Sequence, residues 1–230
     1  MERLSHRQIA TLMGFVRDLY VPRDRERFIS HLLGALPGVV PCELVTFNEA
    51  DPVTRTSRSW LNPTPALQWM TDQIWNRLMH QHPFVRYQEG GGDPRPVRLS
   101  DLTTCRDLAR TDLYNELLRP LASDYEVMMG LPHVPHTVNG VAVCRSRKDF
   151  SDREMLLLTL LHPHVVQADR NAECVGRRLD EIRMLERGVE QLEHGLIVLD
   201  SKATVRLATT KARQWLSAYF PGRRLGSGPG

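Results

Sequence analysis

Residues 150–171, FSDREMLLLTLLHPHVVQADRN, decide how this chain reads. Ser151 is a preferred residue at the start of a helix, and Glu154 stands three positions later. Each satisfies a free backbone donor of the other, so the pair reads as a capping box. Asp152 and Glu154 place negative charge in the first turn, where the helix dipole favours it. Leu156, Leu157, Leu160, Leu161, Val165 and Val166 then mark a wide apolar face. Just upstream, VAVCRSR (141–147) is strand-like. A strand that feeds a capped apolar helix, itself running on into charged sequence, describes a helix packed on a sheet and leading outward. Nothing in the stretch points to catalysis.

Working outward, Ser5–Tyr20 carries Ile9, Leu12, Met13, Val16, Leu19 and Tyr20 at helical spacing, which predicts an amphipathic first helix. Asp24 caps a second, RERFISHLLGAL, which stops near Pro37-Gly38. Leu44–Phe47 is β-rich and Asp51-Pro52 ends it, with a partner strand over Arg55–Leu61. Thr64 opens a third helix with Leu67, Met70, Ile74, Trp75 and Leu78 on one side. Residues 81–101 read as loop, because Gly90-Gly91-Gly92-Asp93-Pro94-Arg95-Pro96 sustains neither helix nor sheet. The glycine run is no phosphate loop, since no GK[ST] follows it. Short helices are expected around Leu102–Ala109 and Asp112–Arg119, then strands over Tyr125–Leu131 and Thr137–Arg145. Asn139-Gly140 ordinarily signals a hairpin turn. Here Pro132 and Pro135 make the better loop, which leaves Gly140 inside a strand.

Three blocks carry a family resemblance. FSDRE followed by LLxLLHPHVVQAxRNA, RTDLYNELLRPLASDYEVMMGLP (110–132) and PCELVTFNEADP (41–52) together resemble the GAF-like sensory domain of LuxR-type transcriptional regulators. The resemblance covers residues 1–175. It implies an α+β fold, a GAF-like antiparallel sheet flanked by helices. It also implies a sensory and dimerising role upstream of a C-terminal helix-turn-helix, which these 230 residues do not contain.

After the capped helix, Val175, Ile182 and Val189 recur every seven residues. Leu185 and Leu192 form a second seam with Leu179 beside it, and Arg178 interrupts the repeat. Two readings of this connector, residues 176–193, stand together: a solvated helix packed on its own domain, and a parallel two-helix contact between protomers. Residues 194–220, including HGLIVLDSKATVRLATTKARQWLSAYF, restart as strand, turn, strand and helix, a partial PAS-like segment in the resemblance. The tail, residues 221–230, PGRRLGSGPG, has the composition of a disordered end.

Composition narrows the function. The 30 Lys and Arg against 27 Asp and Glu leave a charge of +3, and they are interleaved, so no basic tract demands nucleic acid. No signal peptide is visible and no apolar run is long enough to span a bilayer, so a cytoplasmic protein without a membrane partner is expected. Cys42, Cys105, Cys144 and Cys174 lie far apart without metal spacing. Three of the four fall in apolar contexts and read as small core hydrophobes. His162-Pro163-His164 places two imidazoles on different helix faces, whereas zinc pairs on helices prefer i, i+4. His133 with His136, and His80 with His82, lack a third ligand, so neither a metal nor another cofactor is expected. There is no GxSxG, HExxH or H-R-D motif, Cys144 being the least implausible nucleophile, and no enzyme is expected.

The expected function is therefore sensing: a small-molecule effector held between the sheet and the elements covering one face. Phe47, Trp60, Phe84, Tyr87, Tyr114, Tyr125 and Met128 are the candidate lining residues, since pockets are mostly apolar with a few polar groups. Each serves equally well as core filling. Val175, Ile182, Leu185, Val189 and Leu192 are the candidate homodimer seam, and DNA is reached only through the helix-turn-helix. The alternative is a stand-alone GAF-like ligand-binding or scaffolding module with no DNA partner.

Overall fold

A computed structural model describes residues 4–65, 68–131, 137–192 and 194–220. Leu67, the proline loop with Pro132, Pro135, His133 and His136, and the 221–230 tail fall outside the described residues. The chain divides into two compact units, Met1–Glu173 and Cys174–Gly230.

The first unit is built on a five-stranded antiparallel sheet. Its strands are β1 (Leu44–Asp51), β2 (Thr56–Asn62), β3 (Val97–Arg98), β4 (Tyr125–Gly130) and β5 (Val138–Arg145), in the order β2-β1-β5-β4-β3. The expected sheet is present, with Gly140 inside β5 rather than at a turn. Gly140 is required there: a Cβ at this position would meet the Met129 carbonyl oxygen at 2.8 Å.

Register fixes what faces where, because residues paired across antiparallel strands share a face. Phe47 pairs with Trp60 and Val141, Val45 with Val143, and Val143 with Val127. This face packs under α1 (His6–Leu19), α2 (Arg25–Ala35) and the first half of α7 (Asp152–Glu190), through Phe15, Leu19, Ile29, Leu32, Leu158 and Leu161. The caps read from sequence, at Asp24 and Ser151, are made, and Ser5 with Gln8 adds a reciprocal box that the sequence reading did not name. Asp24 accepts from the Arg27 amide. Ser151 donates its amide to Glu154 at 2.7 Å and accepts from the Glu154 amide at 3.4 Å. Within α7, Leu157, Leu158, Leu161, Val165, Ala168 and Ala172 turn inward, while Leu160 is exposed.

Polar anchors tie this layer down. Arg25 reaches Asp169 of α7 at 3.0 Å and also pairs with Glu49 of β1. His162 is buried with Nε2 2.8 Å from the Gly130 carbonyl; a carbonyl only accepts, so Nε2 carries the proton. His164 instead meets the Tyr20 hydroxyl at 3.1 Å. The two histidines thus bind different elements, and neither shares a ligand set.

Arg145 holds Glu154 through two bonds of 2.9 and 3.1 Å and stacks on Phe150 at 3.8 Å. Burial alone would raise the Glu154 carboxyl, but Arg145 and the Ser151 donors hold it below the usual glutamate range. A carboxylate depressed in the fold contributes stability above the ordinary range near ~4.3 and loses it as pH falls through the lower folded value. Glu154→Gln should cost about 1–3 kcal/mol near neutrality. That difference should shrink steadily on acidification to about pH 2 in urea titrations; a pH-independent loss would contradict the account.

The other face carries Leu44, Thr46, Asn48, Ser59, Leu61, Glu126, Met128, Ala142 and Cys144, since each neighbours a residue of the first face. It is covered by α3 (Gln68–Leu78), α4 (Pro83–Glu89), α5 (Leu99–Leu102), α6 (Cys105–Leu108) and a π-helical turn, Tyr114–Leu118. Here the sequence reading of residues 81–101 as loop is corrected. Pro83 is preset for a first helical position, and the His82 ring accepts from the Phe84 amide at 3.2 Å, so a short helix forms ahead of the glycines. The cysteine reading also needs amending: Cys144 is buried and Cys42 half-buried, but Cys105 and Cys174 are exposed.

In the second unit, β6 (Ile197–Leu199) and β7 (Val205–Ala208) form a two-stranded sheet followed by α8 (Thr210–Tyr219), the expected strand–strand–helix. Asp200 organises the turn by accepting from the Lys202 and Thr204 amides, each at 2.9 Å. Of the connector seam, Ile182, Leu185 and Leu192 are exposed and Val175 and Val189 half-buried. Leu192 lies past the end of α7. The Gln191 amide is shared between the Arg187 and Gly188 carbonyls, and the chain turns so that Gly195 meets the Ala212 backbone, where a Cβ would stand 2.9 Å away.

Candidate functional site

Between the second face of the sheet and α3 lies a cavity of about 70 Å³. Its floor is Leu44, Thr46, Asn48, Ser59, Leu61, Glu126, Met128, Ala142 and Cys144; its cover is Thr71, Asp72, Trp75, His82, Leu117, Leu118 and Leu121, with Ser123 at one end. A smaller space of about 30 Å³ shares Asn48, Trp75, His82, Met128 and Ala142 and extends to Phe84, Val138 and Gly140. Local sequence puts these groups in place. Alternation in β1, β4 and β5 turns every second residue to this face. Helix α3 is seated on β2 by Gln68 donating to the Ser59 carbonyl at 2.9 Å and Ser57 donating to Asn76 at 2.6 Å.

The polar groups are of two kinds. His82, Glu126 and Ser123 form a closed chain, each under 5% exposed. His82 Nδ1 accepts from the Phe84 amide, so in the neutral ring Nε2 bears the proton and faces Glu126 Oε2 at 3.2 Å. Ser123 donates to the other Glu126 oxygen at 2.6 Å. Both oxygens are thus occupied, which is what a buried carboxylate needs. The hydroxyl donates to the carboxylate and not to the imidazole, which differs from the hydroxyl-to-imidazole order of a nucleophilic triad.

Asp72 and Trp75 are the second kind. The Asp72 Oδ1 and the Trp75 Nε1 are buried and meet no protein partner among the described residues. Burial pushes the Asp72 carboxyl above its usual range. The Trp75 ring stands edge-on to His82 with centroids 5.4 Å apart. Cys144 on the floor is a protonated thiol, driven well up by burial and next by the charge of Glu126; such a thiol is inert. Cys42 is raised to about 11, again by burial. Among the described residues, no three His, Cys, Asp or Glu groups come together as metal ligands, and no helix is long and apolar enough to cross a membrane.

The aromatic candidates from sequence separate across the sheet. Met128 lines both cavities and Phe84 the smaller one. Phe47, Trp60 and Tyr125 belong to the helix-covered first face, Phe47 meeting Trp60 edge-on at 5.7 Å. Tyr87 and Tyr114 pack on the cavity side but do not line it: Tyr87 accepts from the Asp93 amide at 2.9 Å, and Tyr114 donates to Asp124 at 2.5 Å. Sequence reasoning missed Asp72, Trp75, His82 and Glu126. For Glu126 a signal existed, a lone carboxylate within the apolar run Tyr125–Leu131 of a strand buried on both faces.

Comparison with solved structures places this arrangement among known folds. The LBD domain of VqsR from Pseudomonas aeruginosa superposes with a TM-score of 0.56 at 16% identity, covering 73% of this chain and 97% of that one. The fold is the same. CepR2 from Burkholderia cenocepacia, an N-acylhomoserine lactone dependent LuxR-family factor, gives 0.54 at 10% identity over 75% of this chain and 99% of its own. The GAF domain of a phosphoenolpyruvate-protein phosphotransferase from Acinetobacter gives 0.49 at 10% identity over 76% and 99%. No protein-family model and no curated protein sequence matches the chain.

Proposed function

We propose that this chain is the sensory region of a LuxR-type transcriptional regulator. It takes a small effector into the cavity beneath α3 and passes the change along α7. The observation that carries this reading is the pair Asp72 and Trp75, whose buried Oδ1 and Nε1 atoms meet no protein partner among the described residues, in the wall of a cavity floored by Leu44, Leu61, Met128 and Ala142. Buried polar groups are ordinarily satisfied, and apolar walls with a few directed polar groups are how small-molecule sites are built. The blocks at 41–52, 110–132 and 150–172 and the likeness to the VqsR and CepR2 folds support the family assignment. The role is non-catalytic and cytoplasmic. Two copies pair along Val175, Ile182, Leu185 and Val189, and DNA is reached through the family's helix-turn-helix. Effector binding acts by favouring one packing of the sheet and its helices over another.

Methyl-detected NMR of the full chain against a library of small fragments tests the site. Bound fragments should shift the methyls of Met128, Leu44, Leu61 and Leu118, and Ala142→Leu, which fills the cavity, should abolish those shifts. Fragments that bind only away from these methyls, or equally well in the filled variant, would overturn the reading.

A further inference from the structure

The lining of the cavity also restricts the ligand. Its ionisable side chains are Asp72, Glu126, His82 and the protonated Cys144, and no Lys or Arg is among them. Glu126 is already occupied on both oxygens by His82 and Ser123. Asp72 offers a free buried acceptor and Trp75 a free buried donor. The two stand three apart on α3, and residues at that spacing are neighbours on a helix surface. A single ligand that satisfies both must therefore carry a donor for Asp72 and an acceptor for Trp75 within a few bonds of each other.

Resting on the sensory reading above, we propose that the cavity binds a compact protonated amine that carries a neighbouring hydroxyl or carbonyl oxygen. The ammonium donates to Asp72 Oδ1, and the oxygen accepts from the Trp75 indole. A cation suits this wall because a carboxylate whose burial disfavours its charge is relieved most by an opposite charge, and a charge-assisted bond is about twice as strong as a neutral one. An anionic ligand finds two carboxylates and, among the lining residues, only one basic side chain, His82, whose ring nitrogens are already engaged by Glu126 and the Phe84 amide. Size sets the other limit. A cavity of about 150 Å³ accommodates benzene, so a site of about 70 Å³ with a side space of about 30 Å³ fits a ligand of roughly four or five heavy atoms.

Ethanolamine, ethylene glycol, glycolate and ethylamine are suitable probes of matched size, read by calorimetry and by the cavity methyls on the full chain. Ethanolamine should bind at least about tenfold tighter than ethylene glycol, and glycolate should not bind. Ethylamine should fall between ethanolamine and glycol, since it keeps the charge and loses the acceptor. Asp72→Asn should weaken ethanolamine about tenfold and leave glycol unchanged. Trp75→Phe should weaken ethanolamine and glycol alike but not ethylamine. The wild-type probe series needs no variant, so a poorly folded substitution leaves the test intact. If glycol or glycolate shifts the cavity methyls as strongly as ethanolamine, the amine assignment fails and the sensory reading stands. If no probe and no library fragment reaches those methyls, both fail.

Discussion

Replacing Ile182 and Val189 together by aspartate should turn a dimer into a monomer in sedimentation at unchanged helix content. Ile182 is 50% exposed and Val189 half-buried, so the change removes nothing from the core of the first unit. Paired along a parallel seam, the two chains would bring four carboxylates together. Burying an uncompensated charge costs several kcal/mol, and each 1.4 kcal/mol is about tenfold in the dissociation constant. The association should therefore weaken by orders of magnitude. Two monomers, or two dimers, in that comparison would show that this stripe does not hold the chains together, and the route of transmission along α7 would fall with it.

Phe47→Ala should be the most damaging single change within the first unit. Phe47 is fully buried at the centre of the sheet, pressed edge-on against Trp60 and lying 5.6 Å from the Arg25 guanidinium. Truncating a buried phenylalanine costs about 3–5 kcal/mol, against a total stability of about 5–15 kcal/mol for an ordinary protein. Urea unfolding should show a stability lowered by that amount, with the midpoint moved to correspondingly lower urea. Thr46→Val, one residue away but facing the cavity, should cost less than about 1.5 kcal/mol. Equal losses would mean that the two faces have been assigned wrongly.

The architecture was legible in the sequence wherever periodicity and capping agreed. Asp24 and Ser151 announce the helices they cap, and the runs at 44–47, 125–131 and 137–145 announce the central strands. Prolines beyond β4 kept Asn139-Gly140 from being taken for a hairpin. Where several glycines stood close together the reading failed, as over Pro83–Glu89, because the cap came from a histidine, a residue outside the usual capping set. The site was harder. Odd and even positions of one strand belong to different layers, so a choice by residue type groups Phe47 with Met128 although the sheet divides them. Helices cover both faces, and which of the two keeps a space beneath them depends on how α3 sits on β2, a tertiary matter that no spacing encodes. Trp75 reads in sequence as one more apolar residue on the side of its helix, and nothing in the spacing marks Asp72.

The alternation of β1, β4 and β5 has one mechanical consequence. Thr46 and Phe47, Met128 and Met129, Ala142 and Val143 are neighbours along the chain, one of each pair on the cavity and the other against the helices. The wall between the two compartments is a single peptide thick. It has no cushion: close-packed interiors hand a displacement on to whatever they touch instead of absorbing it. Whatever pushes Met128 or Ala142 aside pushes on the bed of Leu158 and Leu161 in the same movement.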